Sequence, residues 1–406
     1  MPAMEDVVIV GAGHGAGQVC VSLRQNGFEG AITMIGEEPW YPYQRPPLSK
    51  KYLAGEMPAE RLYFKPRSFY TDQAIDVRLD STVAGIDPTA KTVTTDVGES
   101  VSWGQLVLAT GSRPRRLDID GSELDGIHYL RGIDDVNGIR EHFSPGRRIA
   151  IIGAGYIGLE VAAVAARAGL QVTVIEMEDR VMSRVVTPEL SRFYEAVHRS
   201  EGVRFEMSTG VTGFTGAGQV AGVVLDSGDT IDVDCVVIGI GIVPNVELAE
   251  DAGLDVSNGI VVDDHCRTSH PDMFAIGDCT WHPNAILGYE LRLESVHNAL
   301  EQAKTAAANI CGKTTTYAQV PWFWSDQYDL KLQIAGLSRG YDQVVMRGDP
   351  NERSFSCLYL RDGQLISVDA VNSPKDFIQS KALIASHARI DADTLANTGI
   401  HLKDMV

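Results

Sequence analysis

Apolar residues in this chain gather into short unbroken runs, each followed by a glycine turn and a stretch of helical spacing. Val7-Val8-Ile9-Val10 has no polar residue to mark an outer face, as expected of a strand covered on both sides. It runs into Gly11-Ala12-Gly13-His14-Gly15-Ala16, then a helical segment to Asn26, then a second apolar strand from Ala31 to Ile35, ending at Glu37. The order recurs from Ile149 to Ile152, through Gly153-Ala154-Gly155-Tyr156-Ile157-Gly158, an Ala-rich helix to Ala168, a stop at Gly169, and a strand from Val172 to Ile175 ending at Glu176. From about Pro321 the pattern changes. Pro321-Trp322-Phe323-Trp324 leads into alternating segments, Ser354 to Leu360 and Leu365 to Val371, that read as strands, and Phe377 to His387 reads as a helix.

The repeated unit has a physical reason. Its first two glycines let the chain turn tightly and let the backbone approach a pyrophosphate, and a small third residue lets helix and strand pack closely. The helix amino terminus presents free N–H groups and a partial positive charge to phosphate, and the terminal acid accepts hydrogen bonds from a ribose diol. Two such units imply two dinucleotides, most simply a tightly held flavin and an exchangeable nicotinamide. The fold class expected is therefore α/β, with two Rossmann-like dinucleotide-binding domains and a carboxy-terminal α+β domain.

Composition narrows the chemistry. The formal net charge of −19 argues against nucleic acid, whose binding draws on cations that neutralise phosphates. Neither a basic segment ahead of the first apolar run nor a run of about 18 apolar residues occurs, so no signal segment and no membrane span are expected, and the protein should stay in the cytoplasm. The six cysteines include no close pair, and the ten histidines show no metal-ligand spacing.

Thr268 to Asp278 reads as a strand ending in Gly277-Asp278, and with the two fingerprints it resembles the FAD/NAD-linked reductases of the glutathione-reductase structural class. In that class the aspartate binds the flavin ribityl chain and the second unit is inserted within the first. The return point here would be Val237 to Asn245, giving residues 1–112 and 245–320 to FAD, 113–244 to NAD, and 321–406 to a separate domain. Within the class the chain resembles the single-component ferredoxin reductases of bacterial haem monooxygenase and ring-hydroxylating dioxygenase systems. The resemblance covers essentially the whole chain and rests on Arg45-Pro46-Pro47-Leu48-Ser49-Lys50, Leu108-Ala109-Thr110-Gly111-Ser112-Arg113-Pro114, Leu130-Arg131, Glu294-Ser295-Val296 and Pro321-Trp322-Phe323-Trp324-Ser325-Asp326-Gln327-Tyr328.

The resemblance implies that Gly11, Gly13 and Ala16 hold the FAD pyrophosphate and Glu37 its ribose. Arg45, Lys50, Thr110, Gly111, Arg131 and Asp278 would line the flavin, with Val83 near the adenine and Val296 near the isoalloxazine. Lys50 would sit beside flavin N5, paired with Glu160, and Gly153, Gly155, Ile157, Gly158 and Glu176 would hold NADH. It also implies that single electrons pass to a [2Fe-2S] ferredoxin; because ferredoxins are usually acidic and this chain is acidic too, cations such as Lys304, Lys313, Lys331, Arg339 or Lys375 are candidates for docking it. Choosing NADH over NADPH is a charge argument. A carboxylate such as Glu176 at about 4 Å from a 2′-phosphate costs roughly 4 kcal/mol at an effective dielectric of about 20.

Competing chemistries lack their residues. Disulfide reduction needs a cysteine pair in the helix after the first fingerprint, which offers only Cys20. Peroxidase chemistry needs a cysteine just beyond the first acid, where the chain reads Trp40-Tyr41-Pro42-Tyr43-Gln44. Cys311-Gly312-Lys313-Thr314 follows a helix and lacks the first glycine of a phosphate loop. A rubredoxin reductase and a flavoprotein of the apoptosis-inducing-factor kind remain as alternatives.

Overall fold

Both glycine-turn units form, each at the centre of a five-stranded parallel sheet. The structure is a computed structural model describing residues 6–405. It divides into two compact units. The first takes the chain up to Gln44, then Leu62–Arg113 and Val243–Pro321; the second takes Arg45–Arg61, Pro114–Ile242 and everything from Trp322.

In the first unit the strand order is Met273–Ala275, Gln105–Leu108, Val7–Val10, Ile32–Ile35, Ile75–Arg78. The unbroken apolar runs are explained by two cores. Val7 and Ile9 face one cluster, with Val107, Phe274 and the helices His14–Gln25 and Val296–Ile310. Val8 and Val10 face another, with Leu106, Leu108, Trp103 and Ile260. Successive side chains of a strand point to opposite faces, so a strand buried on both faces keeps no polar position. The segment read as one strand from Thr268 is shorter. Thr268 donates through both its amide and its hydroxyl to the Met273 carbonyl, closing a turn around Pro271, and only Met273–Ala275 is extended before the short helix Gly277–Cys279.

The second unit repeats the design, in the order Arg204–Met207, Gln171–Glu176, Arg148–Ile152, Cys235–Ile238, Ile127–Tyr129. A three-stranded antiparallel sheet, Val211–Ala217, Gln219–Leu225 and Thr230–Asp232, packs Phe214, Val223 and Leu225 against Ala150, Ile152 and Val236 of one face. The carboxy-terminal part is a five-stranded antiparallel sheet, ordered Trp322–Gln327, Leu330–Gly336, Gln364–Val371, Ser354–Arg361, Gln343–Asp349, with the helix Pro374–Ala385 packed on it. That helix starts three residues ahead of Phe377 because proline suits a first turn, and it stops before His387, whose φ is +54°. The Trp322 and Trp324 rings lie 5.5 Å apart at a tilt of 33°, and Trp322 packs edge-on to Phe377, so they belong to this domain's packing. Among the described residues no helix is long and apolar enough to cross a membrane.

One buried acid belongs to this packing. Asp369 on Gln364–Val371 is 1% exposed and accepts a hydrogen bond from the Tyr359 hydroxyl, and burial pushes its carboxyl up to about 7. An acid with a raised native pKa keeps a proton that the unfolded chain has lost, so its contribution to stability falls as pH rises between about 4 and about 7. Over that range the loss is of order 4 kcal/mol. Asp369→Asn should therefore melt well above the parent at pH 8, with the difference closing by pH 5; parallel melting curves across this range would remove the assignment.

Candidate functional site

Each fingerprint places a glycine where a side chain is impossible and another where only space is found. Gly11 has φ +111°, and a Cβ there would lie 2.3 Å from the Ala109 oxygen; Gly153 has φ +101°, with the Gly239 oxygen at 2.5 Å. Gly158 would meet the Gly153 oxygen at 2.1 Å, whereas its counterpart Ala16 fits, fully buried. Around Gly13 and Gly155 a Cβ would meet nothing within 4 Å. These two cap the helices His14–Gln25 and Tyr156–Arg167, whose first internal bonds run from Gly17 N to Gly13 O and from Leu159 N to Gly155 O, both at 3.0 Å. The preceding amides point out of the helix end. A pocket of outward N–H groups over a bare backbone fits a pyrophosphate.

The terminal acids differ in their surroundings. Glu37 is exposed beyond Ile32–Ile35. Glu176 accepts from Ala154 N at 2.7 Å and from Glu178 N at 3.0 Å, so it braces the glycine turn as well as ending the strand. Ile157 is 44% exposed beside that turn, an apolar side chain left facing outward.

The remaining residues of the first unit are held as follows. Thr110 donates to the Asn245 carbonyl at 2.7 Å, and Asn245 returns its side-chain amide to Thr110 O at 2.9 Å and its backbone amide to Gly111 O at 3.0 Å. Ser112 donates to Asp278 at 3.1 Å. Gln302 accepts from Gly277 N and ties that turn to the helix that Val296 begins. Val83 is 6% exposed, within the core.

In the second unit, Arg45 donates to the Arg131 carbonyl at 2.8 Å, and Arg131 N donates to Asp135. Lys50 follows the short helix Pro46–Ser49, and its ammonium lies 2.6 Å from Glu160. Glu160 is 3% exposed on an otherwise apolar, Ala-rich helix face, a placement a carboxylate takes only when paired. It also accepts from Ser49 at 2.5 Å and from Ser325 at 2.6 Å. Sequence reasoning paired Lys50 with Glu160 but assigned nothing to Ser49, Ser325, Gln327 or His198. The last three form a buried hydrogen-bonded series with Glu160. Alternation on a strand could have put Ser325 and Gln327 on one face, but nothing local names the helix opposite.

The cysteines are unpaired and all but Cys311 are buried. Burial pushes Cys20 up to about 12, so it offers no thiolate for relay chemistry. His128, His142 and Cys235 bring one ligand atom each within 4.8 Å, but the Arg147 guanidinium lies 3.5 Å from His142 Nδ1, and we assign no ion there. Of the cations considered for docking, Lys304 pairs with Glu301 and Lys313 bonds Asn26, while Lys331, Arg339 and Lys375 are exposed on the second unit.

Comparison with known proteins agrees with this geometry. Residues 5–303 match the family model described as pyridine nucleotide-disulphide oxidoreductase, and residues 322–406 match the reductase C-terminal family. A ferredoxin–NAD(P)(+) reductase of a Sphingomonas species is 47% identical, over 95% of this chain and 94% of its own. A rubredoxin–NAD(+) reductase of Pseudomonas putida is 41% identical, over 91% of this chain and 96% of its own. The reductase in the crystal structure of the covalent putidaredoxin reductase–putidaredoxin complex superimposes with a TM-score of 0.96 at 40% identity, covering 99% of this chain and 98% of that one. With twin nucleotide cradles on parallel sheets and matches spanning nearly its whole length, the chain belongs to the pyridine nucleotide-disulphide oxidoreductase family and carries that family's reductase C-terminal domain.

Proposed function

We propose that the protein is an NADH-dependent ferredoxin reductase that passes electrons singly to a [2Fe-2S] ferredoxin serving a cytochrome monooxygenase or a dioxygenase. The observation that carries this reading is the pair of open glycines, Gly13 and Gly155, each at a helix amino terminus where, beyond the adjoining residues, a Cβ would meet nothing within 4 Å. Supporting it, the chain's relatives include reductases named for ferredoxin, and its cysteines offer no reactive pair.

In this reading residues 1–112 and 245–320 hold FAD, 113–244 hold NADH, and 321–406 form the carboxy-terminal domain. Bound FAD supplies an acceptor that takes two electrons together and releases them one at a time. Gly11, Gly13 and Ala16 keep the backbone clear for its pyrophosphate; Glu37 accepts from its ribose. Thr110, Gly111 and Asp278 are fixed by Asn245 and Ser112 to line it, with Val83 and Val296 as apolar neighbours. Arg45 and Arg131 add cationic side chains. Gly153, Gly155, Ile157 and Gly158 seat NADH and Glu176 takes its ribose diol. Lys50 supplies positive charge against the reduced ring, with Glu160 holding its ammonium in place. Rubredoxin is the second acceptor considered, because a rubredoxin reductase is among the relatives.

Gly155→Ala should raise the NADH dissociation constant about tenfold or more with little change in melting temperature, since its methyl enters the open cradle. Gly158→Ala, 2.1 Å from a carbonyl oxygen, should instead lower the melting temperature. The reverse pattern would contradict the cradle. Glu176→Ala should narrow the NADH over NADPH preference in kcat/KM at least tenfold; a parent that uses both equally defeats this point. Stopped-flow reduction of a [2Fe-2S] ferredoxin by NADH-reduced protein should slow about tenfold or more as salt is raised, through loss of electrostatic steering. A rubredoxin reduced faster than every [2Fe-2S] ferredoxin would favour the second acceptor, and flavin reduction with no acceptor turned over would favour a non-catalytic flavoprotein.

A further inference from the structure

Glu160 terminates a series of hydrogen bonds that runs through the second unit from strand to helix and back to a hairpin turn. Its Oε2 takes Lys50 and Ser49, and its Oε1 takes the Ser325 hydroxyl at 2.6 Å. Gln327 Nε2 lies 3.2 Å from Ser325 Oγ. His198 Nε2 lies 2.9 Å from Gln327 Oε1, and the Tyr328 hydroxyl lies 3.1 Å from His198 Nδ1. Ser325 and His198 are fully buried and Gln327 is 1% exposed, so water does not offer them alternative partners.

One charge dictates the direction of every bond in this series. Amide orientation and histidine tautomer are ordinarily free choices. Here Glu160 is ion-paired with the ammonium at 2.6 Å, and a carboxylate can only accept. Ser325 must spend its single proton on it and has only lone pairs left for Gln327. Gln327 must therefore present its NH2 to Ser325 and its oxygen to His198, so Nε2 carries the imidazole proton. Burial holds the ring neutral, its pKa pushed down to about 4, leaving Nδ1 bare to accept from Tyr328. Tyr328 is itself pinned, at φ +57° in the hairpin after Trp322–Gln327 and with the Arg167 guanidinium 5.4 Å above its ring.

We propose that Ser325, Gln327, His198 and Tyr328 are positioning residues, a one-way series of donors that holds the Glu160 carboxylate, and through it the Lys50 ammonium, in the orientation electron acceptance from NADH requires. The step to NADH rests on the function proposed above; the direction of the series does not. Aligned hydrogen bonds polarise one another, so the terminal donor to Glu160 is strengthened by those behind it. Glutamine at 327 is the one neutral side chain of this length that donates on one side and accepts on the other. An isosteric Gln327→Glu would contest the single Ser325 proton.

Two measurements test this separately. In the isolated protein labelled with 15N-histidine, long-range 1H–15N correlations should show His198 neutral with the proton on Nε2 from pH 6 to 8, and a second tautomer should emerge in Ser325→Ala. A parent His198 protonated on Nδ1, or cationic at neutral pH, overturns the proposal, with or without any activity. In stopped flow, Ser325→Ala should slow electron transfer from NADH about tenfold with the NADH dissociation constant unchanged, and Ser325→Thr should restore it. Gln327→Glu should slow it more than Gln327→Met; equal slowing by the two would mean packing alone and would also overturn the proposal. A parent that accepts no electrons from NADH removes the functional reading, while the tautomer still decides the series.

Discussion

A carbon added at Gly11 would lie 2.3 Å from the Ala109 oxygen, and one at Gly153 would lie 2.5 Å from the Gly239 oxygen. The geometry of both glycine turns depends on those two contacts. They let the strand end, the turn and the neighbouring strand's loop close to van der Waals distance, and the closure aims a helix amino terminus at a fixed point in space. Both glycines sit at positive φ, where an L side chain is strained even without a clash. Each turn is further tied to the next strand, by Gly11 N to Ile35 O at 2.7 Å and Gly153 N to Ile175 O at 2.8 Å. The second copy adds the Glu176 carboxylate on Ala154 N.

Two buried acids in the second unit show how surroundings decide what a carboxyl does. Glu160 receives an ammonium and two hydroxyls, so its desolvation is offset by charge-assisted hydrogen bonds. Asp369 receives the Tyr359 hydroxyl and, among the described residues, no cation, and burial moves its titration up to about 7. The first pairs with a charge; the second contributes to packing and keeps its proton further up the pH scale. Burying either is expensive, and only for Glu160 does the arrangement of partners suggest a return in function.

The family to which the chain belongs is described by disulphide chemistry, yet no pair of thiols is available here. Cys20, on the helix where such a pair would serve, is fully buried and held as a thiol. The scaffold is thus separable from the sulfur relay. In the function proposed above, two nucleotide cradles and a charged pair serve a chemistry in which electrons enter as hydride and leave singly to an outer-surface acceptor, with no thiol relay.

What the amino-acid order determined by itself is local. Period-two burial on both faces, glycines where the backbone must turn, and an acid at the end of the following strand lie within about 26 residues of one another, so spacing and chain stereochemistry suffice to predict both nucleotide units. Resemblance extended that to Lys50 with Glu160. The surroundings of Glu160 were decided only by tertiary structure. Ser49 lies 111 residues away in sequence and Ser325 lies 165, and His198 is separated from Gln327 by 129. No local propensity distinguishes those residues from ordinary buried polar side chains. Their roles come from the packing of a strand and two helices around one carboxylate, which admits only donors and so dictates which atom each neighbour must present.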